Sequence, residues 1–151
     1  MPQTGTGATS GSGHPPDRTA PKLTSVRLSH SRFRVGRNAT SLSLRVSEAA
    51  KLTITVQRVR PGERAGTKRK PTCHLVAHAP KRHSCLALTT DGTIKRMLKS
   101  GSAKIAFDGR IGGRMLAVGA HRFVLVARDA AGNASKPVTM RFTVLADRKS
   151  R

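Results

Sequence analysis

The sequence predicts an all-β protein, an antiparallel sandwich of about seven strands. Apolar residues recur at every second position through most of the middle of the chain, and clusters of Gly, Asn, Asp and Ser separate these runs. No stretch shows the three-to-four-residue apolar spacing of an amphipathic helix.

The chain opens on Gly, Ser, Thr and Pro with almost nothing to bury, so residues 1–21 read as a disordered linker. A folded unit is expected over 22–146 and a charged tail over 147–151. A length of 151 residues suits one domain with a real core plus tails, while two domains would be cramped.

Each strand follows from alternation. Val26 and Leu28 alternate with Arg27 and Ser29; Leu42, Leu44 and Val46 with Ser43 and Arg45; Leu52, Ile54 and Val56 with Thr53 and Thr55. A pleat points successive side chains to opposite faces, so each run is a half-buried strand. The pattern returns at Leu86 and Leu88, at Ala103, Ile105 and Phe107, at Phe123, Leu125 and Ala127, and at Val138, Met140, Phe142 and Val144. Val124 and Val126 make both faces of the Phe123 strand apolar, which places it centrally in its sheet. After Val56 the rhythm slips, because Arg58 and Arg60 take the phase that had been apolar. Residues 61–85 therefore read as a long basic excursion whose ends belong to neighbouring strands.

Charge narrows the partners. The chain has 29 Lys and Arg against 7 Asp and Glu, a net charge of +22. Such a surface adheres to nucleic acid, anionic headgroups or acidic polymers at low salt whatever its role. There is no Trp, no Tyr and only 4 Phe, so the stacking platforms of single-strand nucleic-acid binders and sugar clefts are missing. Nucleic acid is thus expected to bind only non-specifically. No apolar run reaches the roughly 18 residues of a membrane span, and the first residues lack the basic and apolar regions of a secretory signal.

Chemistry-bearing motifs are sparse. There is no G-x-S-x-G elbow and no H-E-x-x-H, and the carboxylates look scattered among turns and strand ends, so no enzyme is expected. Asp129 and Asn133 suit a turn, as Asx residues do. Residues 68–85, KRKPTCHLVAHAPKRHSC, crowd Cys73 and Cys85 around His74, His78 and His83. Zinc would have Cys73, His78, His83 and Cys85 as ligands, but C-x4-H-x4-H-x-C is not a common zinc spacing, and the surrounding cations oppose a metal. Redox motifs bring two cysteines much closer. No metal and no cofactor are expected. The candidate polyanion-binding residues are Arg58, Arg60, Arg64, Lys68, Arg69, Lys70, Lys81 and Arg82. Against them stands a solvated basic face in a chain that also carries Arg27, Arg45, Lys104, Arg122 and Arg141 on exposed strand positions.

The stretch GAHRFVLVARDAAGNASKP, from Gly119 to Pro137, resembles the penultimate strand and following turn of bacterial immunoglobulin-like and fibronectin type III-like modules. Gly119, Phe123, Leu125, Ala127, Asp129, Ala131, Gly132, Asn133 and Ser135 fall on the family pattern. D-R-T-A-P at Asp17 to Pro21, S-E-A-A at Ser47 to Ala50 and F-D-G-R-I-G-G-R at Phe107 to Arg114 resemble further landmarks. The resemblance implies an immunoglobulin-like sandwich in secreted or cell-surface proteins of high-GC Gram-positive bacteria, used as a spacer or adhesion element. It also implies a disulfide between Cys73 and Cys85. Closing such a loop stabilises by roughly 3 kcal/mol in the chain-entropy model and requires an oxidising compartment. His121 stands where the family has tyrosine, and a histidine hydrogen-bonded to backbone is expected there.

The functional expectation is a non-catalytic extracellular or cell-surface module, with an anionic cell-wall polymer or another surface protein as partner. The alternative is a nucleic-acid or polyanion binding protein that uses the basic loop.

Overall fold

The computed structural model describes residues 17–76 and 84–148, and these are all-β. Eleven strands run in chain order: β1 (Leu23–Leu28), β2 (Arg32–Phe33), β3 (Thr40–Val46), β4 (Ala50–Gly66), β5 (Pro71–Leu75), β6 (Ser84–Leu98), β7 (Gly101–Phe107), β8 (Arg110–Ile111), β9 (Arg114–Met115), β10 (Gly119–Arg128) and β11 (Val138–Val144). β1, β3 and β7 form one antiparallel sheet in that order. β2, β11, β10, β4 and β5 form the second, with β6 also on β4. The chain leaves the first sheet for β2 and returns to β3, then crosses from β3 to β4, back from β6 to β7, and again before β10, which is the connectivity of an immunoglobulin-like sandwich.

Alternation places the core. Leu42, Leu44 and Val46 of β3 face Leu52, Ile54 and Val56 of β4 and Phe123, Leu125 and Ala127 of β10, all nearly or fully buried. β10 lies between β4 and β11, the central position expected for the most apolar strand. All four phenylalanines gather here: the Phe123 and Phe142 rings stack at 4.4 Å, and Phe107 meets Phe123 edge-on at 5.1 Å. None is more than 6% exposed, so the surface offers no phenylalanine face for stacking.

The basic excursion differs from its sequence reading. It is clasped and basic as expected, but it is largely strand. β4 continues through Arg58 and Arg60 to Gly66, β5 turns back onto it, and β6 starts at Ser84. β10 pairs with β4 only as far as Arg58, and β5 takes over from Gly62. Pro61 falls in the gap between them, where its missing N–H leaves no ladder bond unmade on that side. The apparent slip after Val56 is therefore the end of the sandwich. A backbone ladder can outrun the core it started from, because its hydrogen bonds do not require an apolar face. The irregularity lies on the partner strand, where Val56 pairs Gly92, Gln57 pairs Thr90, and Asp91 bulges between them.

Candidate functional site

Residues directly opposite on paired strands point to the same face. Arg64 lies opposite Cys73, Gly62 opposite both Leu75 and Cys85, and Arg60 opposite Ala87. One face of the projecting hairpin thus carries Arg58, Arg60, Arg64 and both cysteines, continuing the side of β4 that faces the core lower down. The opposite face carries Val59, Pro61, Leu86 and Leu88. Leu86 and Leu88 are 52% and 42% exposed there, while Leu75, 50% exposed, lies on the cationic side.

The expected disulfide is present, with Cα atoms 6.0 Å apart. It joins β5 to β6, the strands on either edge of β4, and passes over Gly62. A Cβ at Gly62 would stand 2.6 Å from Cys73 Sγ and 2.7 Å from His74 O, so the crossing needs glycine. Both sulfurs are consumed in this bond and neither is a thiolate ligand, which removes the zinc set built on them. His74 is exposed and lies 3.4 Å from Thr72 Oγ1. His78, His83, Lys81 and Arg82 lie outside the described residues.

The hairpin tip is a turn in which the Lys70 N–H donates to the Thr67 carbonyl at 3.2 Å and to Thr67 Oγ1 at 3.1 Å. Lys68, Arg69, Lys70 and Arg64 are all exposed around it. Glu63 is the sole carboxylate between Arg58 and Val76. Among the described residues, no carboxylate lies within 4.0 Å of a hairpin cation. This positive charge is balanced only by solvent and salt.

The other end of β4 carries the opposite charge. Carboxylate oxygens of Asp17, Glu48 and Asp129 lie within 4.8 Å of one another. Sequence reasoning missed this cluster. Each acid belongs to a different one of the landmarks D-R-T-A-P, S-E-A-A and D-A-A-G-N, and that was the available signal. Asp129 shapes its turn as expected: Oδ1 accepts from Asn133 N at 2.8 Å and Oδ2 from Asn133 Nδ2 at 3.0 Å. The same Nδ2 donates to the Asp17 carbonyl at 2.9 Å, tying the approach to β1 onto the β10–β11 turn. Hydrogen bonds to the Asp129 carboxylate, from the Asn133 side chain foremost and then from backbone N–H groups of the turn, lower its pKa. Glu48 has its pKa raised, first by burial and then by the charges of Asp17 and Asp129. Three oxygens so placed suit a hard divalent cation, although such an ion takes six to eight oxygens when it is calcium.

His121 is buried and stacked on Phe142 at 5.4 Å, with Nδ1 3.1 Å from the Gly119 carbonyl oxygen. The backbone contact expected of it is present.

No family model matches the chain, and a comparison with curated proteins finds no match. Among solved structures, the chain is similar to the sporulation control protein Spo0M of Bacillus subtilis, at 11% identity and a TM-score of 0.46, over 85% of this chain and 51% of that one. The chain thus spans about half the length of Spo0M, and a likeness of this degree carries no argument about function.

Proposed function

We propose that the chain is a non-catalytic immunoglobulin-like module of an extracellular or cell-surface protein, serving as a spacer or adhesion element. Its clasped hairpin offers positive charge to an anionic cell-wall polymer. The observation that carries the spacer reading is the placement of the two ends of the sandwich. β1 starts beside Val46, where the chain is about to enter β4, and β11 ends beside Gly119, past the Arg58 level of β4. The chain therefore comes in at the acidic end and leaves at the basic end. Units joined in this way form a row rather than folding back on themselves. The disulfide supports an oxidising compartment.

The polymer reading rests on the exposed cluster of Arg64, Lys68, Arg69 and Lys70, held on a braced hairpin clear of the sandwich. With every phenylalanine buried, charge is what remains to recognise a polymer. The test neutralises these four residues to Gln and compares them with Arg27, Arg45, Lys104 and Arg141 neutralised in the same way. A larger loss of affinity for poly(glycerol phosphate) in the hairpin variant supports a dedicated surface. Equal losses leave only diffuse charge and end the reading. A scattering profile of two linked copies tests the spacer: a longest dimension short of about one and a half times the single copy would exclude it.

A further inference from the structure

Among the described residues β6 pairs only with β4 and β7 only with β3, so these two edge strands face each other across an open flank of the sandwich. A groove of about 650 Å³ occupies this flank, lined among others by Arg37, Lys95, Arg96 and Arg110. These cations come from three parts of the chain: the loop after β2, the strand β6 and the short strand β8. Asp108 is the single carboxylate among the lining residues and is already engaged. Its Oδ1 accepts from Arg110 N at 2.9 Å, and its Oδ2 lies 3.7 Å from Arg110 Nη1. Arg37, Lys95 and Arg96 have no carboxylate within 4.0 Å among the described residues.

Arg96 is the informative residue. It pairs with Leu52 and lies two positions from both Ile94 and Leu98, on the phase of β6 that faces the core. An apolar residue is the default there. One inward charge on an edge strand discourages sheet-to-sheet association. Lys95, the next residue on β6, points to the opposite face and guards the same edge, but Arg37 and Arg110 lie off that strand and add nothing to the protection, yet they line the same groove.

We propose that this flank groove is a binding site for a phosphate-bearing ligand, distinct from the hairpin surface. Guanidinium forks match the oxygens of a phosphate in pairs, and a tetrahedral anion can accept from several walls at once, where one fork saturates a carboxylate. Phe107 lines the groove but is only 6% exposed, so there is no ring on which a base or sugar could stack. The ligand is held by charge and by oxygen geometry.

Inorganic tripolyphosphate and poly(glycerol phosphate) are the probes, titrated calorimetrically at physiological ionic strength, where exposed charges are screened beyond about 8 Å. One tripolyphosphate per chain is expected. The triple variant R37Q/R96Q/R110Q should lose at least about tenfold in affinity, and a control of equal charge loss, R27Q/K104Q/R141Q, less than about threefold. R96K keeps the charge but not the fork, and should still weaken binding by about threefold or more. Neutralising Arg64, Lys68, Arg69 and Lys70 should leave tripolyphosphate affinity unchanged, so this site and the hairpin surface stand or fall separately. Groove-dependent binding of tripolyphosphate alone identifies a free ligand, and groove-dependent binding of both probes identifies a polymer-borne phosphate. Equal weakening by the triple variant and its control, several ions per chain, or no binding of either probe would overturn the proposal.

Discussion

His121 Nε2 stands 3.5 Å from Asp91 Oδ2 across the sheet, and Asp91 is the bulged residue of β6. The His121 side chain is fully buried, while that of Asp91 is 29% exposed. The approach does not meet hydrogen-bond geometry, so Nε2 is buried without a hydrogen-bond partner. What secures His121 is its stacking on Phe142 and the contact of Nδ1 with Gly119.

These two residues should therefore differ sharply in energetic weight. His121→Ala leaves a cavity beside Phe142 and should cost about 2 to 4 kcal/mol in urea unfolding. Asp91→Asn should cost less than about 1 kcal/mol, because a partly exposed pair is screened by water. Comparable losses would mean that the pair, and not the packing, secures the ring.

Gly62→Ala should disrupt the hairpin and spare the sandwich. The new methyl would meet Cys73 Sγ and the His74 carbonyl, and backbone cannot retreat as a flexible side chain does. Overpacking of this kind costs about 1 to 3 kcal/mol. The readout is thiol labelling of oxidised protein: more reactive Cys73 and Cys85 than in the parent chain are expected.

Replacing both cysteines by serine removes the clasp, worth up to about 3 kcal/mol in the chain-entropy model. The effect should be local, since β4 beyond Gly62 packs on β5 and β6 and lies past the reach of β10. Limited proteolysis should cut first between Gly66 and Ser84, while hydrogen exchange of β10 changes little. A whole-domain loss of protection would show that the hairpin and the core unfold as one unit.

The acidic cluster makes stability depend on pH in two opposed ways. Asp129 has a lowered pKa, so its contribution is fully present above the unfolded aspartate value, near 3.9, and is lost as pH falls through the lower folded value. Glu48 has a raised pKa, so the folded state holds its proton more tightly, and ionising it costs stability above the folded value. Glu48→Gln should therefore raise the melting temperature at pH 7, with the gain shrinking as pH falls through the raised folded value and gone below about 4, where the parent carboxyl is protonated in both states. Asp129→Asn should lower it at pH 7 and matter less in acid. A Glu48→Gln variant that melts lower at pH 7 would show that its charge is favourable.

The strands with a buried face could be read directly, because a face in contact with a core must repeat every second residue. Leu42 to Val46, Leu52 to Val56 and Phe123 to Ala127 announced themselves in this way. The strand beyond Arg58 could not be read, because its ladder outlasts the core that produces the pattern. The disulfide was expected only through resemblance, and the reason that Gly62 is glycine is visible only where β5 and β6 close over it.

By itself the sequence determined the all-β class, the positions of the strands that share the core and an excess of positive charge with no aromatic surface to accompany it. Tertiary structure alone decided where charges meet. Asp17, Glu48 and Asp129 are far apart along the chain and converge because three connections end at one pole of the sandwich. Arg37, Arg96 and Arg110 converge because two edge strands leave one flank open. Alternation records which side of a strand is buried. It carries no record of which strands become neighbours, and a site made of residues from several strands depends on that.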